Sequence, residues 1–277
     1  MRVRRLVLVT ALLATVTAAG AAREALSSEE GEGSEVREPL EFSHPLVSNT
    51  PQPETYVRSL YDYFNEPSHG HEPGADRHRL TVGAEYAPIR SLGLELFVPY
   101  TFFDPDEGSS TNRLDNLEFS AKYASFAFEE HGLLLGGGLA LDLPTGNEDK
   151  GIGSSHTLLI EPFLDFGYKL NRFELVGFTY FGFPVNEHDE DEPDFELSWT
   201  LSFLYLITDR FHYLVEFDGQ HDFGGHNDGF NMVNISPGIK YQILKSQKLF
   251  LGASVRLPLT SDKEFYVSPR FSVFYHF

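Results

Sequence analysis

The links between the apolar segments of this chain alternate in length, and that alternation restricts the folds open to it. From Thr55 onward twelve segments of alternating polarity can be marked. They are Thr55–Phe64, Arg77–Ile89, Leu92–Phe103, Leu114–Phe128, Leu133–Leu143, His156–Leu170, Phe173–Val185, Phe195–Ile207, Phe211–His221, Phe230–Leu244, Leu249–Leu259 and Phe265–Phe277. The odd-numbered links are long: NEPSHGHEPGAD, DPDEGSSTNR, PTGNEDKGIGSS, NEHDEDEPD and DFGGHNDG, with a shorter TSDKE at the end. The even-numbered links are short: RS, EEHG, NR, TDR and KSQK. A soluble sandwich has no reason to sort its loops in this way. A closed antiparallel barrel that crosses a bilayer does, with tight turns on the periplasmic rim and long loops outside. Each segment has roughly the 10–15 residues that a tilted strand needs to cross. The expectation is an all-β, up-and-down transmembrane barrel of about 12 strands over residues 55–277, with both ends on the periplasmic side.

The two faces of each segment agree with this. Leu92, Leu94, Leu96, Val98, Tyr100 and Phe102 oppose Gly93, Glu95, Phe97, Pro99, Thr101 and Phe103. Leu158, Ile160, Leu164 and Phe166 likewise oppose Glu161, Phe163, Asp165 and Gly167. A charge facing lipid at the midplane costs roughly 2–4 kcal/mol, so the charged series is assigned to the lumen. The lumen candidates are therefore Glu85, Glu95, Glu118, Glu161, Asp165, Glu174, Glu196, Glu216 and Asp218 against Arg79, Lys122, Lys240, Arg256 and Arg270. Such a set either forms a structural network of ion pairs or lines a path for solutes. Its acidic excess favours cations or neutral solutes. Phe97, Phe163, Phe178, Tyr180, Leu204, Leu206 and Leu214 would make part of the interior apolar, as a greasy path or as packing for a plug. Tyr86, Tyr100, Tyr123, Tyr168, Tyr213 and Tyr275 fall toward segment ends, where aromatic girdles belong. Pro99, Pro162, Pro237, Pro258 and Pro269 interrupt segments and predict either bulges or carbonyls bonded to lumen water at those places.

Before the barrel the sequence predicts export. Arg2, Arg4 and Arg5, an apolar run from Leu6, and Ala19-Gly20-Ala21 read as a secretory signal over residues 1–22. Residues 23–54, with SSEEGEGSE and few apolar groups at the start, read as a flexible acidic periplasmic segment; dipping into the barrel as a partial plug is the alternative, with no specific support in the sequence.

Other chemistry is excluded or weak. A net charge of −20 leaves no basic stripe for nucleic acid. The chain has no Cys, hence no disulfide framework or thiol chemistry. No cofactor motif is present, and no enzyme activity is expected. Ser154 and His156 are the nearest match to a barrel phospholipase, but they sit two apart on one segment with no third group to orient the histidine. His69, His71, His188 and His226 lie in acidic outer loops. Their spacing matches no defined metal site, and a solvated face that engages cations or lipopolysaccharide is the plainer reading.

The last segment, EFYVSPRFSVFYHF, ends on Phe277 and resembles the closing strand by which bacterial outer-membrane barrels are recognised by their assembly machinery. Four further stretches, LEFSHPLVSNTPQPET, LGLELFVPY, RLDNLEFSAKYA and LALDLPTGNEDKGIGSS, resemble the outer-membrane proteins grouped as the phenol-degradation meta-pathway family. The likeness runs from about Leu40 to Phe277, with Ser120 where that family often carries glycine. It implies a barrel in the outer membrane of a Gram-negative bacterium that passes small hydrophobic or aromatic compounds, and it assigns no binding residues. The expected function is a passive channel or facilitator. The competing expectation is a non-conducting structural barrel whose acidic loops engage cations or lipopolysaccharide.

Overall fold

The computed structural model describes residues 40–68, 74–185, 193–225, 228–244 and 247–277. The expected signal segment, the start of the acidic segment and the loop histidines His69, His71, His188 and His226 lie outside them.

The chain forms one antiparallel sheet closed on itself. Its strands are β1 (Tyr56–Glu66), β2 (Ala75–Ile89), β3 (Leu92–Pro105), β4 (Thr111–Leu114), β5 (Leu117–Ser125) and β6 (Leu133–Leu143). They continue as β7 (Leu158–Leu170), β8 (Phe173–Val185), β9 (Phe195–Thr208), β10 (Phe211–Phe223), β11 (Asn231–Leu244), β12 (Gln247–Pro258) and β13 (Ser268–His276). Sequence neighbours pair, and β1 pairs with β13, which closes the ring. β4 and β5 both pair with β3 and are two halves of one broken strand, so the barrel has twelve staves. No helix among the described residues is long and apolar enough to cross a membrane; the strands do the spanning.

The period of two sets the two surfaces. Along β7 the outward Leu164 is 63 % exposed while its neighbours Phe163 and Asp165 are buried. Outward Leu, Val, Ile, Phe and Tyr side chains form an exposed apolar belt around the wall. Tyr86, Tyr123, Tyr168 and Tyr213 are exposed at the short-turn rim, as expected of a girdle. At the other rim Phe183, Phe195 and Phe223 stack side by side at 5.2 and 5.4 Å.

Two expectations are corrected. The in-strand prolines mostly do not shift the register. Near Pro162 and Pro237 the ladder opens on one side and resumes in phase, because a missing N–H removes one bond without adding a residue. The exception faces Pro99. There Leu114 lies opposite Tyr100 but Glu118 opposite Phe97, an inserted residue that splits the fourth stave at Asp115-Asn116 and reverses its parity. The second correction concerns residues 40–54. They are not a flexible periplasmic segment but lie inside the barrel, with Phe42, His44, Leu46 and Thr50 buried. The acidic composition that predicts disorder belongs to residues 23–39; the stretch that follows is apolar and proline-rich and finds partners on the wall.

Candidate functional site

The interior has two halves, a plugged one at the short-turn rim and an open one toward the long loops. The plug is residues 40–54. Pro45, Pro51 and Pro53 remove three donors, and the segment bends at Leu46–Ser48 and Pro51–Gln52 without forming a strand, so its backbone groups need partners from outside. Charged side chains of the wall supply them. Glu174 Oε2 accepts from the Ser43 N–H at 2.7 Å, and Glu85 Oε1 from the Glu54 N–H at 3.1 Å. Glu216 accepts from Leu46 and Val47, each at 3.0 Å. In the opposite sense, Lys240 Nζ donates to the His44 carbonyl at 3.1 Å, Arg270 to that of Leu46 at 2.6 Å, and Lys122 Nζ to that of Thr50 at 3.0 Å. Outside the strands, Glu129 accepts from the Leu40 N–H at 2.9 Å and is itself bonded by Arg90. That guanidinium, followed by the Leu40 bond, holds the Glu129 carboxyl below its ordinary range.

The same wall charges pair with one another. Lys122, 1 % exposed, reaches Glu85 at 2.8 Å and Glu95 at 3.4 Å. Glu95 also accepts from Ser120 Oγ at 2.7 Å and from the Tyr56 hydroxyl at 3.2 Å. Arg270 pairs with Asp62 at 2.5 Å, and Ser202 Oγ donates to Glu216 at 2.8 Å. Between these polar contacts Phe42 and Leu46 join Leu134, Phe163, Val176, Phe178, Leu204, Leu214 and Phe274 in one apolar cluster. Gly167 and Gly252 make room for it. A Cβ on Gly167 would stand 2.7 Å from Phe42 and Pro51, and one on Gly252 2.3 Å from Leu46.

Above the plug an open vestibule of about 1320 Å³ faces the long-loop rim. Arg77, Arg79, Arg256, Glu196, Asp222 and Glu264 are among its lining. Arg79 pairs with Asp115, and Arg256 with Asp218. The β5–β9 side is acidic: Glu118 stands directly across from Asp142 on the neighbouring strand, and both, with Glu161 and Glu196, are close enough to feel one another's charge. Part of the rim is folded loop. Asn116 Oδ1 accepts from the Gly146 and Ser154 N–H groups, and buried Ile152 pins the loop 144–157 across the mouth.

The sequence-predicted site residues therefore divide by depth. Glu85, Glu95, Lys122, Glu216, Lys240 and Arg270 surround the plug; Glu118, Glu161 and Glu196 stand above it; Asp218 is tied to Arg256. Asp165 is buried, and neither of its oxygens has a hydrogen-bond partner among the described residues. Ser154 Oγ accepts the N–H groups of His156 and Thr157, a turn bond rather than a nucleophile–base pair. Sequence reasoning offered a partial plug only as an unsupported alternative and named no residue of 40–54 for it, nor His44, Glu54 and His276 as a group. It also passed over Arg58, Asp62, Asp142 and Asp222, although the alternation in their strands carries that signal.

Comparison with known proteins agrees with this architecture. The profile of the family described as "Putative MetA-pathway of phenol degradation" matches residues 81–265. No curated protein matches by sequence. Among solved structures the fold is similar to an outer membrane channel from Pseudomonas putida F1, with TM-score 0.65 and 12 % identity over 81 % of this chain and 96 % of that one. It is also similar to the NanC porin, with TM-score 0.54 and 9 % identity over 80 % and 98 % of the two chains. The translocator domain of the autotransporter NalP from Neisseria meningitidis gives TM-score 0.55 and 10 % identity over 84 % and 91 %. The family match covers two thirds of the sequence and most of the strands: this chain, a closed barrel of twelve staves, belongs to the phenol-degradation MetA-pathway family.

Proposed function

We propose that the protein is an outer-membrane channel for passive passage of small, preferentially apolar or aromatic solutes, closed at rest by residues 40–54. The observation that carries this reading is the open vestibule of about 1320 Å³ ending on a plug held by side chain–backbone bonds rather than by a strand ladder. A space of that size exceeds an ordinary small-molecule pocket. In the apolar cluster that seats the plug, Phe163, Phe178 and Tyr180 pack with ring centroids 5.2 to 6.0 Å apart, an aromatic surface that a solute would meet once the plug moves. The family's description and the channel among the similar structures support the same reading. On it, the barrel sits in the outer membrane of a Gram-negative cell after export. The closing strand that ends at Phe277 is what the assembly machinery reads, and the outer loops meet lipopolysaccharide.

Single-channel recording of the refolded chain in a planar bilayer tests this. The wild type is expected to give rare, small openings. Glu216→Ala removes the acceptor of two plug N–H groups and should raise the frequency or size of openings. Under a salt gradient the openings should be mildly cation-selective, and Glu161→Gln, which takes one charge from the acidic wall, should move the reversal potential toward zero. Silence from both folded proteins overturns the channel and leaves a structural barrel.

A further inference from the structure

Where β1 and β13 close the barrel at the short-turn rim, three metal-ligating side chains meet. His44 lies near the start of the plug, Glu54 ends it, and His276 ends β13. A single oxygen, Glu54 Oε2, stands 3.0 Å from His44 Nε2 and 2.9 Å from His276 Nδ1. The three atoms all lie within 4.8 Å of one another. The two imidazole centroids are 4.7 Å apart, walled by Tyr56 at 4.4 Å from His44 and Phe250 at 5.5 Å from His276. Gln52 donates its side-chain amide to the other oxygen of Glu54, which fixes the carboxylate's orientation.

Neither tautomer of the pair is comfortable without a further positive charge. With protons on the inner nitrogens, His44 Nδ1 and His276 Nε2 are left buried as acceptors with no donor. With protons on the outer nitrogens, two imidazole lone pairs and a carboxylate face one another. A cation at the centre of the three inner atoms takes up those lone pairs, while the two outer N–H groups have no acceptor among the described residues. Ligand bonds of about 2.0–2.2 Å around a tetrahedral ion separate its ligands by roughly 3.3–3.6 Å, so the two nitrogen–oxygen spacings of 3.0 and 2.9 Å must open by about half an ångström and the nitrogen–nitrogen spacing, at most 4.8 Å, must come to the same value. Two imidazoles with one carboxylate suit zinc, copper, nickel or cobalt rather than magnesium or calcium, which take oxygen donors. Access is from the short-turn rim, where the Glu54 and His276 side chains are 17 % and 12 % exposed.

We propose that His44, Glu54 and His276 bind a divalent transition-metal ion of the zinc class, with one position left open to water. Because two ligands belong to the plug and the third to the closing strand, the bound ion clasps the plug to the wall. That consequence rests on the channel reading above; the site does not.

The full refolded chain in detergent, stripped by a chelator, is titrated with Co²⁺ alone. One equivalent should bind with visible absorption bands of low-symmetry coordination, and Zn²⁺ should displace it. Outer-shell losses weaken metal sites 10–100-fold, so loss of a direct ligand in Glu54→Gln or His276→Gln should weaken binding by roughly 100-fold or more and abolish the bands. His156→Gln, at the opposite rim, should leave both unchanged. Glu54 lies outside the strands, so Glu54→Gln remains informative if His276→Gln fails to assemble. The absence of saturable Co²⁺ binding, or binding insensitive to Glu54→Gln, overturns the site. Zn²⁺ should also reduce channel openings in the wild type and not in Glu54→Gln. Binding as described with openings unmoved by Zn²⁺ overturns the clasp alone, while silence of the channel with binding intact overturns the channel reading alone.

Discussion

Lys122 shows what a charge inside this wall is for. It is fully buried, touches both Glu85 and Glu95, and still has a proton to give to the Thr50 carbonyl. Removing one member of a buried ion group leaves the others uncompensated, a loss of about 3–5 kcal/mol where a pair is broken. Lys122→Ala is therefore expected to lower the urea midpoint for unfolding from lipid vesicles by that order. Lys122→Ala with Glu85→Ala and Glu95→Ala together should recover much of it, because the three mutually paired charges are then removed together. Equal destabilisation by single and triple variants would show that the network adds net stability instead. Every one of these residues is legible in the sequence from period two alone, since a charge among alternating apolar residues must point inward. What each one does is not legible. The partners of Lys122 lie 27 to 72 residues away, and those of Lys240 up to 196.

Among the elements, strands and plug differ in how much of themselves they show in sequence. A strand repeats every two residues and is bounded by turn chemistry, so β6 and β8 run over the expected residues, Leu133–Leu143 and Phe173–Val185. The fourth stave was harder to read because its inserted residue breaks the period at Asp115-Asn116. The plug has no period. Its conformation is set by prolines and by wall groups between 31 and 224 residues distant, and no local pattern announces those. Its seat, however, makes a sharp prediction. Gly252 faces Leu46 so closely that a side chain on it must displace the ends of the Leu46 and Ser272 side chains, and a bulky one presses the plug off its seat. Gly252→Val is expected to expose residues 40–54 to protease added from the short-turn side, while the barrel keeps its heat-modifiable migration on gels. Continued protection in an intact barrel would mean that Leu46 is free to move aside.

For the molecule as a whole, the decisive arrangement is a polar, charge-paired interior wrapped by an apolar exterior. A soluble protein inverts this, so the exposed belt needs a solvent of its own kind. The belt's depth is marked by aromatic residues at both rims, and Leu164 lies between them on β7, 63 % exposed. Leu164→Arg places a charge where the hydrocarbon core should be and is expected to destabilise the folded barrel in lipid by roughly 2–4 kcal/mol. Thr200→Arg, half-buried on the inward face of β9, two strands from β7, is the matched control, because its charge meets the acidic wall that carries Glu161 and Glu196. Equilibrium unfolding from vesicles reads both, and in detergent micelles the gap between the two variants should shrink, since a micelle admits water more readily. Equal tolerance of arginine at the two positions would place Leu164 in contact with water and reverse the assignment of the two faces. The same comparison bears on the channel, because an interior that accepts a new charge without cost is one with room and water above the plug.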